Sequence, residues 1–164
     1  MKINPGNLSL SPISLDEYLP LRKYIYSKCA LKFDDLCRPI PSVEKEKEWW
    51  KENVKTGQHI VFAVKLDNKE ICGLVHIFDI GRTPGSCETG LTIFPESNYN
   101  RGIGYHANEL VLQYIENELK LEKVTAETNV RNLYAVKLYE KSGFIKTGIN
   151  REGTIDWQRL EYIF

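Results

Sequence analysis

Asn98-Tyr99-Asn100-Arg101-Gly102-Ile103-Gly104-Tyr105 is the stretch that decides how the rest of the chain is read. It follows a short β-like run, Glu88 to Phe94, and opens a long amphipathic helix. A loop ending in Gly-x-Gly at a helix start presents several backbone N–H groups with no side chain in the way. Those donors sit at the positive end of the helix dipole, which makes the spot an anion cradle, with phosphate its commonest guest. Gly-x-Gly alone is frequent by chance, so its surroundings must say which phosphate it serves.

Two familiar loops fit poorly. A nucleotide P-loop needs G-x-x-x-x-G-K-[ST], and no such string occurs. Gly102-Ile103-Gly104-Tyr105-His106-Ala107 satisfies G-x-G-x-x-A, and Glu122 lies about 20 residues on, as in a dinucleotide fingerprint. That fold, however, needs its glycines directly after the strand. Here Pro95 to Arg101 intervene, and too little chain follows to complete such a domain.

Working outward, the remaining chain reads as alternating short elements without repeats or linkers. A strand near Leu8 to Ile13 leads into Ser14-x-x-Glu17, a capping box, and a helix that Pro20 should break or kink. A second helix starts after Pro41-Ser42 and stops near Thr56-Gly57. His59 to Leu66 and Ile71 to Phe78 form a hairpin around Asp67 to Glu70, and Cys87 to Phe94 is the next strand after a turn at Pro84-Gly85. Beyond the glycine loop, Tyr105 to Lys120 has helical apolar spacing. Lys123 to Thr128 reads as a strand, Arg131 to Ser142 as a helix closed by Gly143, and Phe144 to Arg151 and Thr154 to Phe164 as a final strand pair. The order predicts one α/β (α+β) domain over residues 1–164: a mixed, mostly antiparallel twisted sheet of six to seven strands flanked by about four helices.

Composition narrows the function classes. The 164 residues carry 22 basic and 22 acidic side chains, so no global field attracts nucleic acid or a membrane surface. Cys29, Cys37, Cys72 and Cys87 form no C-x-x-C pair, and His59, His76 and His106 show no ligand spacing beside them, which points to reduced thiols and no metal. The N-terminus lacks an apolar core segment, and no apolar run approaches ~18 residues. The expectation is a cytoplasmic protein, monomer or homodimer, with neither nucleic acid nor membrane as partner.

Tyr99-Asn100-Arg101-Gly102-Ile103-Gly104 resembles the [Q/R]-x-x-G-x-[G/A] motif of the GNAT superfamily of N-acetyltransferases. About 30 residues later, Asn129-Val130-Arg131-Asn132-Leu133-Tyr134-Ala135-Val136-Lys137-Leu138-Tyr139-Glu140-Lys141-Ser142-Gly143-Phe144 is similar to the family's second signature, N-x-x-[A/S]-x-x-[L/Y]-[Y/E]-x-[K]-x-G-F. The element order matches the family fold over nearly the whole chain. Tyr99 departs from the usual Gln or Arg, and an aromatic there resembles the ribosomal-protein acetylase (RimJ/RimL-like) branch, which also holds acetylases of polyamines and other small amines.

The resemblance implies acetyl-CoA as cosubstrate and a primary amine, small-molecule or protein N-terminus, as acceptor. The pyrophosphate would lie on the N–H groups of Arg101, Gly102, Ile103, Gly104 and Tyr105, with Arg101 adding charge. The amide-rich pantetheine arm would pair as a pseudo-strand with the edge at Thr92, Ile93 and Phe94, and would meet the Asn132 side chain. Asn132 is equally readable as a helix cap. Tyr139 aligns with the family tyrosine that protonates the leaving thiolate; otherwise it is a core tyrosine. Direct attack needs a neutral amine, and stripping a proton from a lysine-like ammonium at pH 7 costs about 4.6 kcal/mol.

The candidate base is Glu88, which resembles an acidic residue frequent at this point in the RimJ/RimL-like branch and is otherwise a surface carboxylate; alternation places it on one strand face with Gly90 and Thr92. A carboxylate in a sheet interior is costly unless paired or wet, which favours a cleft position. His76, Asp79 and Glu127 are the weaker candidates. The acceptor side draws on Tyr24, Tyr26, Phe33, Asp34, Asp35, Trp49, Trp50 and Trp157, and Trp49 and Trp50 cannot both face one core. A non-catalytic acyl-CoA-binding module is the alternative reading, disfavoured by Tyr139 and Asn132.

Overall fold

The computed structural model describes residues 7–26, 39–67 and 70–164. The Asp67 to Glu70 turn is therefore described only at its ends, and Cys29, Phe33, Asp34, Asp35 and Cys37 lie outside the described residues. Seven strands form one sheet: β1 (Leu8–Pro12), β2 (Ile60–Leu66), β3 (Glu70–Phe78), β4 (Ser86–Ile93), β5 (Lys123–Asn129), β6 (Ile145–Glu152) and β7 (Ile155–Ile163), in the order β1-β2-β3-β4-β5-β7-β6. Every neighbouring pair is antiparallel except β4 and β5, which a helical crossover makes parallel.

Local chemistry sets the helix ends. The capping box forms as read: Glu17 N–H donates to Ser14 Oγ at 3.3 Å, and Ser14 N–H donates back to Glu17 Oε2 at 3.0 Å. Pro20 breaks the helix it opens into α1 (Leu15–Tyr18), a 3-10 turn (Leu19–Leu21) and α2 (Arg22–Ile25). Ser42 caps α3 (Val43–Trp49), which runs on as a π-helical turn. Residues α4 (Ile103–Tyr114) and α5 (Leu133–Lys141) hold the crossover positions around β5. Trp50 is buried whereas Trp49 is half-buried, so the pair divides between core and rim as one helix face requires.

The sheet is covered on both faces. One core joins Phe62, Val75, Ile77 and Cys87 to Ile103, Ala107 and Val111 of α4 and to Tyr139 of α5. The other joins Val61, Ala63, Leu74 and Phe94 to Tyr18 and Trp50. Alternating residues of β4 thus face opposite helical layers, and the site lies where β4 and β5 meet. Among the described residues, no helix is long and apolar enough to cross a membrane.

Candidate active site

The two parallel strands pair only at Ser86–Lys123, Cys87–Val124 and Glu88–Thr125, and beyond Glu88 they part. The parting leaves part of β4 with an open edge. Phe94 N–H donates to Cys72 O at 2.9 Å, so by antiparallel alternation Thr92, Gly90 and Glu88 also turn their backbone groups toward β3. Leu91 and Ile93 then turn theirs into the fork. This corrects the expected edge of Thr92, Ile93 and Phe94. Ile93 belongs to it, Leu91 was missed, and Thr92 only lines the cleft with its side chain. Phe94 is spent in the opposite core, its ring stacked on Tyr24 at 4.6 Å with an interplanar angle of 2°. The alternation depends on which neighbour β4 bonds first, and nothing in the local sequence states that.

Above the fork, a 3-10 turn (Glu96–Asn98) and Asn100, at φ 60°, bend the chain into Gly102, which holds φ 89° as the N-cap of α4. Gly102 has no side chain to cap the first-turn N–H groups, so they are left for a ligand. Gly104 is needed for a different reason: a Cβ there would stand 2.8 Å from Leu138 Cδ1, so its absence lets α4 close on α5. A cleft of about 460 Å³ runs between these helices, lined by Gly102, Ile103, Gly104, Tyr105, Asn132 and the edge residues Leu91 and Ile93.

Arg101 does not join that lining. Its guanidinium donates to Asn98 Oδ1, while Asn98 Nδ2 donates to Phe94 O at 2.9 Å. Arg101 is held by the first of these bonds at the edge of the loop, and buried Asn98 links the loop to the end of the strand. Asn132 combines both of its readings. Its Oδ1 accepts from Ala135 N–H at 3.2 Å as the cap of α5, and the residue also lines the cleft.

Tyr139 and Glu88 are close enough to influence each other electrostatically. Burial raises the Tyr139 phenol well above its ordinary value, and the Glu88 carboxylate raises it further. Glu88 itself is pushed up by burial first, then by Glu127 and Asp79, against an opposing pull from Arg159. Its side chain opens on a second cleft of about 200 Å³ on the sheet face away from α4, shared with Asp79, Lys123, Thr125 and Arg159. Tyr139 belongs to the core on the α4 face, so the acid and base candidates approach the fork from its two sides.

The weaker candidates are otherwise engaged. Glu127 accepts from Asn150 Nδ2, and Asp79 pairs with Arg82 at 3.2 Å. His76 is hydrogen-bonded, Nδ1 to His59 Nε2, at 2.9 Å. Burial lowers His59 to about 4, with Asp79 opposing, and lowers His76 to about 3, with His59 adding to it. Both imidazoles are therefore neutral and weakly basic at neutral pH. Trp49 packs edge-on to His59 at 4.8 Å. Trp157 sits opposite Asn129 on β5, its indole Nε1 buried without a partner. Burial raises the Cys72 and Cys87 thiols to about 11 and about 12, leaving both inert.

A family model for an acetyltransferase (GNAT) domain matches residues 7–145. The spermidine N(1)-acetyltransferase of Vibrio cholerae is 28% identical over 110 residues, covering 67% of this chain and 63% of that one. A prophage-derived N-acetyltransferase of Bacillus subtilis, YokL, is 30% identical over 107 residues, covering 65% and 59%. The matched stretch thus spans less than two thirds of either relative. In three dimensions the chain superposes on the crystal structure of Vibrio cholerae spermidine N-acetyltransferase in complex with CoA and spermine, with a TM-score of 0.83, 22% identity and 96% of both chains covered. A dodecameric structure of the Vibrio cholerae enzyme gives a TM-score of 0.75 at 21% identity, covering 96% of this chain and 94% of that one. At those identities the likeness is one of fold.

Proposed function

Because the chain belongs to the GNAT acetyltransferase family, we propose that it is an N-acetyltransferase that moves an acetyl group from acetyl-CoA to a primary amine by direct attack in a ternary complex. One observation carries the reading. The uncapped first turn of α4 and the open edge at Leu91 and Ile93 line one cleft, and Tyr139, buried on the α4 face, is close enough to Glu88 of the same strand β4 to feel its charge. An elongated ligand with an anionic middle, an amide arm and a reactive end fits those groups.

In this reading the N–H groups of Ile103, Gly104 and Tyr105 hold the pyrophosphate. Leu91 and Ile93 pair with the pantetheine amides, helped by the Asn132 side chain. The bound thioester supplies the acetyl group and nothing else. Glu88, ionised, takes the proton that the ammonium must lose, directly or through water in the smaller cleft. Its raised pKa brings it nearer the operating pH than an ordinary carboxylate. As the amine nitrogen bonds the carbonyl carbon and the C–S bond breaks, Tyr139, which its raised pKa keeps protonated until then, gives its proton to the departing sulfur and regains one from the second proton the new amide nitrogen sheds.

The acceptor is a primary amine, small-molecule or protein N-terminal. Tyr99, on the cleft wall, supports the RimJ/RimL-like branch, and the spermidine enzyme among the relatives puts polyamines in the first panel to be tried. Incubation with acetyl-CoA and spermidine, lysine-like amines and short peptides should release free thiol with at least one acceptor. Tight acetyl-CoA binding without turnover on any amine would leave only a binding module. Failure to bind coenzyme A would overturn the reading altogether.

A further inference from the structure

Coenzyme A has three parts, and the groups described above provide for two of them: the arm along β4 and the pyrophosphate on α4. The geometry points to Tyr134 as the aromatic platform on which the third part, the adenine ring, stacks. This inference rests on the acetyl-CoA reading of the cleft.

Three observations place it there. Tyr134, Ala135 and Leu138 are the residues of α5 that line the cleft, so one face of that helix forms its wall. Along the wall, Ala135 and Leu138 are half-buried whereas Tyr134 is 69% exposed, which marks Tyr134 as the mouth. Leu138, one helical turn on from Tyr134, is the residue that packs against Gly104 in the first turn of α4. A ligand whose pyrophosphate rests on that turn and whose arm descends to Tyr139 must therefore send its remaining end out past Tyr134. An aromatic ring left mostly in water at the rim of a cleft offers an open π-face, and a purine is the flat partner such a face takes, whatever its edge groups. Tyr99 stands on the opposite wall of the same cleft.

The test compares coenzyme A with 4′-phosphopantetheine, which keeps the arm and one phosphate but lacks the adenosine, by calorimetric titration of the parent, Tyr134→Ala and Tyr134→Phe proteins. Tyr134→Ala should raise the Kd for coenzyme A about tenfold, Tyr134→Phe should leave it within about twofold, and the 4′-phosphopantetheine Kd should be the same in all three. Equal weakening of both ligands by Tyr134→Ala would assign the residue to the arm or to α5 itself and overturn the inference. So would an unchanged coenzyme A Kd. Because Tyr134 is exposed, both variants should melt with the parent, and a Tyr134→Phe protein that loses coenzyme A affinity as Tyr134→Ala does would also count against stacking. A parent protein that binds no coenzyme A is a distinct result, removing the acetyl-CoA reading first and this inference with it.

Discussion

Glu88, the proposed base, is held in a state that costs stability at neutral pH. Its pKa is raised, so in the interval between the unfolded and folded values the native state binds a proton that the unfolded chain has released. Stability therefore falls as pH rises through that interval, and Glu88 is a net cost above it. Glu88→Gln should accordingly melt higher than the parent at pH 7 to 8, with the difference vanishing near pH 4, as followed by thermal denaturation across pH. The same substitution should lower kcat/KM by about 10²–10⁴-fold and abolish its acidic limb, whose midpoint in the parent lies above the ordinary carboxylate range. A retained acidic limb in Glu88→Gln would remove Glu88 from the base role. Tyr139 makes the complementary case. Tyr139→Phe keeps the ring that packs on Phe144 at 5.1 Å and removes only the proton donor. It should lower kcat by about 10²-fold while the acetyl-CoA Kd stays put, and an undiminished kcat in steady-state assays would make Tyr139 a core residue only.

At the scale of elements, the decisive contact is the closure of α4 on α5 at Gly104. Alanine there meets the end of a flexible leucine, which can turn aside. Valine puts branches against Leu138, Leu91 at 3.5 Å and Ile93 at 3.7 Å together, so several packed side chains must shift at once. Gly104→Val should cost about 1–3 kcal/mol of stability and most of the coenzyme A affinity, measured by denaturant titration and calorimetry, whereas Gly104→Ala should keep measurable binding. The glycine loop stood out in sequence because two glycines before a helical stretch mark backbone that no side chain covers, and the structure places that helix start where they predict it. Asn132 and Tyr139 stood out because they match the second signature at a fixed helical spacing, and α5 carries both. What the sequence could not show was set across strands. The one-residue phase of the β4 edge depends on the Phe94–Cys72 bond, the placement of the Arg101 guanidinium depends on Asn98, and the neutral state of His76 depends first on its burial and then on His59 across the hairpin. The π-helical turn Ile115–Leu119, which ends the expected Tyr105–Lys120 helix before Lys120 takes φ 53°, was hidden in a pattern that helical periodicity alone describes equally well.

For the whole molecule, the sheet is two units joined by a short parallel seam. β1 to β4 form an antiparallel unit and β5, β7 and β6 another, and among the described residues Ser86–Glu88 against Lys123–Thr125 is the only strand pairing between them. The proposed ligand lies along the fork above that seam, touching β4 and α4 on one side and α5 on the other, so binding should couple the two units. At a hundred times its Kd, coenzyme A should add about 2.7 kcal/mol and raise the melting temperature by about 5–10 °C. Hydrogen exchange then separates this coupling from a general tightening. The amides of Leu91 and Ile93, which face the fork, should slow most on binding, together with those of the first turn of α4. The amide of Thr92, between them but directed at β3, should change far less. Equal slowing of all three would mean that the ligand stiffens β4 as a whole, and the pseudo-strand pairing at the open edge would have to be given up.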